Sequence, residues 1–337
     1  MGFLGVGVSK VIALPVLDLI YSWRLNPRAG DLTLHPPTGS FYGTSYPGGL
    51  GFGMVFRITT GGEVVPLAHF AGAGASNAGS VPSGLLLASD GHFYGTTQMG
   101  GTSNDGTVFK ITPEGVLTTL AHFGIPANRP MGGLVEGADG NFYGTATAGS
   151  SFQGYDKGAV FRITPAGTLT ILAGFPSSGS NGTGAFSGLT VGPDGNFYGT
   201  TINGGQGYGT IFRATPAGAI TTLVEFTNNG ASNKGSDPRG GLTLGADGNL
   251  YGTTYTGGIN NLGTIFRVTP GGVLTTLLVF TGSGTGKNGS RPLGKLIPGP
   301  DDFLYGLTSE GGANNYGTAF RVNTAGQAGI LTSFTAF

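Results

Sequence analysis

The chain has 337 residues, 69 of them glycine and none cysteine, and its 16 basic residues balance 16 acidic ones. That glycine content is about three times ordinary usage, while a 38% hydrophobic share excludes a disordered polar chain. The even charge balance without a basic run argues against nucleic acid as a partner, and the missing cysteines exclude disulfides and thiolate metal sites.

At the N-terminus, Met1 to Tyr21 holds one basic residue, Lys10, and its apolar stretch is broken by Pro15 and Asp18. This is not the pattern of a signal peptide, and no run is long enough to insert in a membrane as a helix. The sequence Val16 to Trp23 follows the pattern of Val116 to Phe123, and Lys10 falls where Lys110 stands. Residues 1–30 therefore read as half of a repeat unit. Three roles stay open for it: a closing strand, a cap on a sheet edge, or a strand pairing with a neighbouring subunit in a homo-oligomer.

Residues 31–337 read as six complete units. The motif Phe/Leu-Tyr-Gly-Thr places tyrosines at Tyr42, Tyr94, Tyr143, Tyr198 and Tyr251, with a degraded copy at Tyr305. Copies stand about 50 residues apart, a spacing that marks repeat architectures. Each is followed by a hydrophobic-Phe-Arg/Lys motif (Phe56, Phe109, Phe161, Phe212, Phe266, Phe320) and by a segment ending in Phe70, Phe123, Phe175, Phe226, Phe280 or Phe334. In the copy from Gly240 to Phe280, Asp247-Gly248-Asn249 and Pro270-Gly271-Gly272 are turn signals. They divide the copy into four short strands rich in Leu, Val and Thr. Four strands per unit predict an all-β, six-bladed β-propeller of four-stranded antiparallel blades. Seven blades is the alternative, if the N-terminal half unit recruits strands from elsewhere.

A glycine follows each repeat tyrosine in mid-strand, where glycine costs about 0.5–1 kcal/mol relative to alanine. A recurring cost implies a recurring need for space, and the Phe of the third strand is the ring to fill it. Such regularity makes the tyrosines core between blades rather than ligand platforms. The turns within each blade's first and last strand pairs are short, so in an up-down-up-down blade the long, variable loops share the other face. Variable loops on a rigid scaffold are where binding usually lives.

The run Gly241 to Thr254 (GLTLGADGNLYGTT), followed by Gly263 to Pro270 (GTIFRVTP), closely resembles the GloVer tandem repeat of bacterial choice-of-anchor surface proteins. The resemblance extends from about Leu32 to Phe334. It implies an extracellular or cell-surface protein held to the envelope by an interchangeable C-terminal anchor, and it carries no catalytic residues to transfer. More distantly, the Asp-Gly-Asn-Leu-Tyr core resembles NHL-type and gluconolactonase-like propellers.

Chemistry-bearing motifs are sparse. His35 and His92 flank first turns, while His69 and His122 precede the Phe that ends a fourth strand; nothing in the sequence brings them together, so neither a metal site nor a cofactor is expected from them. No Gly-x-Ser-x-Gly elbow occurs, and no catalytic residue is assigned. The long loops are richer. Ahead of the third strands stand Asn104, Asp105, Tyr155, Asp156, Tyr208, Asn260, Asn261, Asn314, Asn315 and Tyr316. Loops between units add Arg129, Arg239 and Arg291. Aromatic faces beside amides and charges suit a glycan or a surface protein, although Asn is equally a turn former. A non-catalytic binding module is the expected function. A self-assembling structural protein and a propeller lyase or hydrolase are the alternatives.

Overall fold

The computed structural model describes residues 32–48, 50–73, 77–124, 127–147, 158–175, 182–185, 187–228, 235–284 and 286–335. All regular structure among them is β. The N-terminal half unit lies outside the described residues. Blade 1 contains β1 (Thr33–His35), β2 (Ser40–Ser45), β3 (Met54–Ile58) and β4 (Val64–His69). Blade 2 contains β5 (Ser80–Leu87), β6 (Phe93–Met99), β7 (Thr107–Ile111) and β8 (Leu117–His122). Blade 3 is β9 (Val135–Glu136), β10 (Phe142–Ala146), β11 (Ala159–Ile163) and β12 (Leu169–Gly174). Blade 4 is β13 (Thr190–Val191), β14 (Phe197–Thr201), β15 (Thr210–Ala214) and β16 (Ile220–Glu225).

In blade 5 a two-stranded ribbon, β17 (Gly235–Ser236) with β20 (Thr256–Gly257), accompanies β18 (Leu242–Leu244), β19 (Leu250–Thr254), β21 (Thr264–Val268) and β22 (Leu274–Val279). Blade 6 is β23 (Ser290–Pro298), β24 (Phe303–Glu310), β25 (Thr318–Asn323) and β26 (Ala328–Ser333). Each blade pairs its strands antiparallel in chain order. The molecule is the six-bladed β-propeller that the repeat pattern predicts.

Pairing places each mid-strand glycine opposite the Phe of the next strand, as in Gly95↔Phe109 and Gly199↔Phe212. A Cβ on Gly95 or Gly199 would stand 2.5 Å from Cζ of that ring. The recurring glycine is therefore the floor of a ring pocket. The tyrosine beside it points the other way, toward the following blade. Tyr42 stacks on Phe93 with centroids 4.3 Å apart, and Tyr94 on Phe142 and Tyr143 on Phe197 at 4.1 Å. These tyrosines are fully buried, and each such ring pair adds about 0.5–1.5 kcal/mol beyond its buried area. Their hydroxyls remain satisfied. Tyr94, Tyr143, Tyr198 and Tyr251 donate to the first-turn aspartates Asp90, Asp139, Asp194 and Asp247 at 2.8–2.9 Å.

Among the described residues, no ring pair of this kind joins blades 6 and 1. Among the described residues, no hydrogen bond, ion pair or ring contact joins those two blades. Exposed large apolar side chains concentrate there, with Ile297 61% and Leu307 54% exposed on blade 6 and Leu34 47% on blade 1. Tyr305, alone among the repeat tyrosines, is only half-buried.

Candidate functional site

The two sets of long loops meet on one face through a repeated main-chain latch. The residue two positions ahead of a third strand offers its carbonyl to an N–H at the entry to the next blade. The pairs are Val81 N to Phe52 O (3.0 Å), Arg129 N to Asp105 O (2.8 Å), Asp237 N to Tyr208 O (3.0 Å) and Arg291 N to Leu262 O (2.8 Å). All four donors adopt left-handed backbone, with φ of 57, 53, 57 and 58°. A proline follows each, and its ring lies over the glycine that opens the preceding blade's third strand: Pro130 over Gly106, Pro238 over Gly209, Pro292 over Gly263. A side chain at any of these glycines would collide with that ring. The left-handed turn then aims the next residue, Ser83, Met131 or Arg239, at the mouth of the central cavity.

Blade 5 turns this geometry into a charged aromatic cluster. Arg239 bonds Asp237 through Nε at 2.9 Å and approaches it through Nη2 at 2.6 Å. Its guanidinium carbon lies 4.1 Å from the centroid of Tyr255, and that of Arg291 lies 5.0 Å from the same centroid. Arg291 also faces Glu310 at 3.8 Å. Guanidinium over an aromatic face is attractive through the ring quadrupole. The Asp237 carboxylate fixes the fork of Arg239 while its side chain stays 47% exposed. Donors unused by Asp237 are thus held rigid at a solvent-facing mouth.

Of the residues singled out by sequence, Arg239 and Arg291 are brought together on Tyr255, and Tyr208 is tied to them through Asp237. Asp105 and Arg129 form the equivalent latch two blades away. Asn104, Asn261 and Asn315 share one local role. Their φ values are 59, 54 and 62°, and each Oδ1 accepts a loop N–H, from Gly100, Gly257 and Gly311 at 2.8–2.9 Å. They are turn formers. Asn260, Asn314 and Tyr316 are exposed beside them. Tyr155 and Asp156 lie outside the described residues. The sequence reading missed Tyr255; its signal is its place just past a second strand, where its N–H meets Asp237 O at 2.9 Å.

The model of the Gloeobacter/Verrucomicrobia repeat matches residues 25–154 and 129–337. The chain belongs to this family. No curated protein matches it. Among solved structures it is similar to the extracellular domain of a hybrid two-component system protein from B. thetaiotaomicron, with TM-score 0.56 and 10% identity over 91% of this chain and 35% of that one. It is also similar to a protein assigned as a gluconolactonase, with TM-score 0.50 and 13% identity over 90% and 89% of the two chains. At these identities the likeness is one of fold.

In this Gloeobacter/Verrucomicrobia repeat protein the axial strands surround a cavity of about 570 Å³. Glycines recur in its wall where blades converge: a Cβ on Gly240 would meet Gly294 O, and one on Gly132 would meet Gly188 N. The described lining includes two cations, Arg239 and Lys295, and no acid. Lys295 reaches from blade 6 to donate to Thr190 Oγ1 of blade 4 at 3.2 Å. Glu136, the acid of the axial strands, instead accepts from Ser89 N at 2.8 Å. His35 is packed against Tyr42 and Phe93. Among the described residues no group of three or more His, Asp or Glu is placed to hold a metal ion.

Proposed function

We propose that this repeat protein is a non-catalytic binding propeller that presents its long-loop face to a hydroxyl-rich or acidic ligand, most plainly a glycan. The Arg239–Tyr255–Arg291 cluster carries this reading. Preformed guanidinium forks suit carboxylate and hydroxyl acceptors, and an aromatic edge beside them suits the C–H faces of a sugar. The cluster borders a cavity whose described lining is cationic, which adds to the preference for acidic groups. The family resemblance implies an exported, envelope-attached setting, in which repeated rims would meet repeated surface polymers.

An array of neutral and acidic glycans, probed with the wild-type chain and with Arg239→Ala and Arg291→Ala, tests the reading. Retention of uronate- or sialate-bearing glycans, lost in both variants, supports it. No retention, or retention indifferent to both substitutions, refutes it.

A further inference from the structure

The cavity on the propeller axis departs from the repeat at one level. In blades 2 to 5 the axial chain has glycine two residues before the cross-strand partner of the repeat tyrosine: Gly84, Gly133, Gly188 and Gly241. Blade 6 has Lys295 at that position. All five residues line the cavity. A Cβ on Gly133 would meet nothing within 4 Å, so a side chain at this level enters open space. That of Lys295 does so, reaching past blade 5 to Thr190 Oγ1 of blade 4 at 3.2 Å.

A second departure lies behind the same wall. The threonine two residues after the repeat tyrosine ties one blade to the next: Thr44 donates to Ser83 O at 2.9 Å, Thr96 to Gly132 O at 3.2 Å, Thr145 to Ser187 O at 3.0 Å and Thr200 to Pro238 O at 3.1 Å. Thr253, their counterpart in blade 5, is 3% exposed and its hydroxyl has no partner. That oxygen lies 3.0 Å from where a Cβ on the cavity-lining Gly240 would stand. Buried hydroxyls are normally bonded, and an outside oxygen at this wall would complete the bonding of this one. Arg239 adjoins Gly240 in the chain and lines the cavity with it. The junction of blades 5 and 6 therefore gathers a guanidinium, an ammonium and a hydroxyl around glycine main chain, which lets a ligand approach closely.

We propose that the axial cavity is an end-on subsite for the terminal acidic residue of a glycan. The carboxylate faces Arg239 and Lys295, a fork and a point charge that both suit it. Ring hydroxyls face the glycine main chain and Thr253. The cavity volume of about 570 Å³ falls within the roughly 300–1,000 Å³ of small-molecule sites. The assignment rests on the glycan-binding role proposed above and adds where the chain is read, at its end and not along its length.

Matched probes separate end from length: hyaluronan oligosaccharides that end in glucuronate or are capped by N-acetylglucosamine, and sialyllactose beside lactose. Immobilised probes are offered to the wild-type chain, to Gly133→Trp, which fills the cavity from a position with open space, and to Lys295→Met. The expected result is retention of the acid-ended member of a pair, displaced by free glucuronate or N-acetylneuraminate. Both variants should weaken it several-fold with the β-sheet circular dichroism kept. Equal retention of capped and acid-ended hyaluronan overturns the subsite and leaves the broader glycan role standing, because the rim then reads the chain along its length. Indifference to Gly133→Trp or to Lys295→Met overturns it in the same way. Retention of no probe also overturns it, and the glycan array then judges the broader role separately. Should Gly133→Trp not fold, Lys295→Met and displacement by the free monosaccharide decide, and failure of either overturns the proposal.

Discussion

Gly144 lies directly beneath the ring of Phe161: a methyl group there would come within 2.6 Å of Cζ. The two are cross-strand partners, so neither moves without disturbing the ladder. Alanine in mid-strand ordinarily gains stability over glycine. Here the sign reverses, and Gly144→Ala should cost about 1–3 kcal/mol by overpacking. Phe161→Leu opens the space, so the double variant should lose less than the two single losses combined. Denaturant midpoints of the four proteins measure this, and strictly additive losses would separate the glycine from the ring.

The buried tyrosines set the alkaline limit of stability. Burial, reinforced by the bonds to Asp139 and Asp194, pushes the hydroxyls of Tyr143 and Tyr198 up to about 12, against about 10 in an unfolded chain. The folded state holds these protons more tightly, so the contribution is complete below about pH 10 and fades as pH rises toward 12. Melting temperature should fall across that window, and Tyr143→Phe with Tyr198→Phe should flatten the fall. An unchanged alkaline limb would contradict the assignment.

The first-turn aspartates act at the other end. Burial alone would raise the carboxyl of Asp90, but bonds from the His92 amide, the Tyr94 hydroxyl and Lys110 outweigh it and bring it down to about 2. Asp139, Asp194 and Asp247 are lowered as well, burial again being outweighed by bonds from a neighbouring Asn and the repeat tyrosine. A depressed carboxyl stabilises the fold above its unfolded value near 3.9, and the effect is lost as pH falls below it. Acid unfolding should shift to higher pH in Asp194→Asn, as followed by tyrosine absorbance.

Val81 holds left-handed backbone with φ of 57°, which a β-branched residue adopts at a cost of about 1–3 kcal/mol. Asparagine tolerates this region. Val81→Asn should therefore raise stability by about 1 kcal/mol, read as a higher melting temperature. Val81→Pro removes the latch N–H and forbids the turn, and should destabilise by more than the asparagine gains.

Tyr208 and Tyr316 are exposed, at 37% and 55%. Replacing both by alanine should leave the melting temperature nearly unmoved and weaken a rim-bound ligand by about 1–3 kcal/mol. A large loss of stability would make them packing elements and move the binding face elsewhere.

Blade number, strand boundaries and the glycine–phenylalanine pocket were legible because every unit restates them. Regular copies expose physical necessity: Gly95 and Gly199 pay the same local cost for the same ring. What differs between units was harder to read. Asn104 and Asn261 look identical whether they bind sugars or close turns, since only φ and the Oδ1 partner distinguish the two. Tyr255 and Arg239 are 16 positions apart in sequence and touch only because the left-handed turn at Asp237 redirects the chain. The partial exposure of Tyr305 was not legible either, because that copy keeps the tyrosine and glycine of the motif.

The latch at Arg129, Asp237 and Arg291 is made of main-chain atoms alone. A fastening that ignores side-chain identity arrives complete with every tandem copy of the unit. Side chains at the fastened positions are then released to drift, which is why one joint carries Val81, another Asp237 and another Arg291 without changing its geometry. Lengthening such a chain by a unit and rewriting the chemistry of its rim become independent evolutionary events.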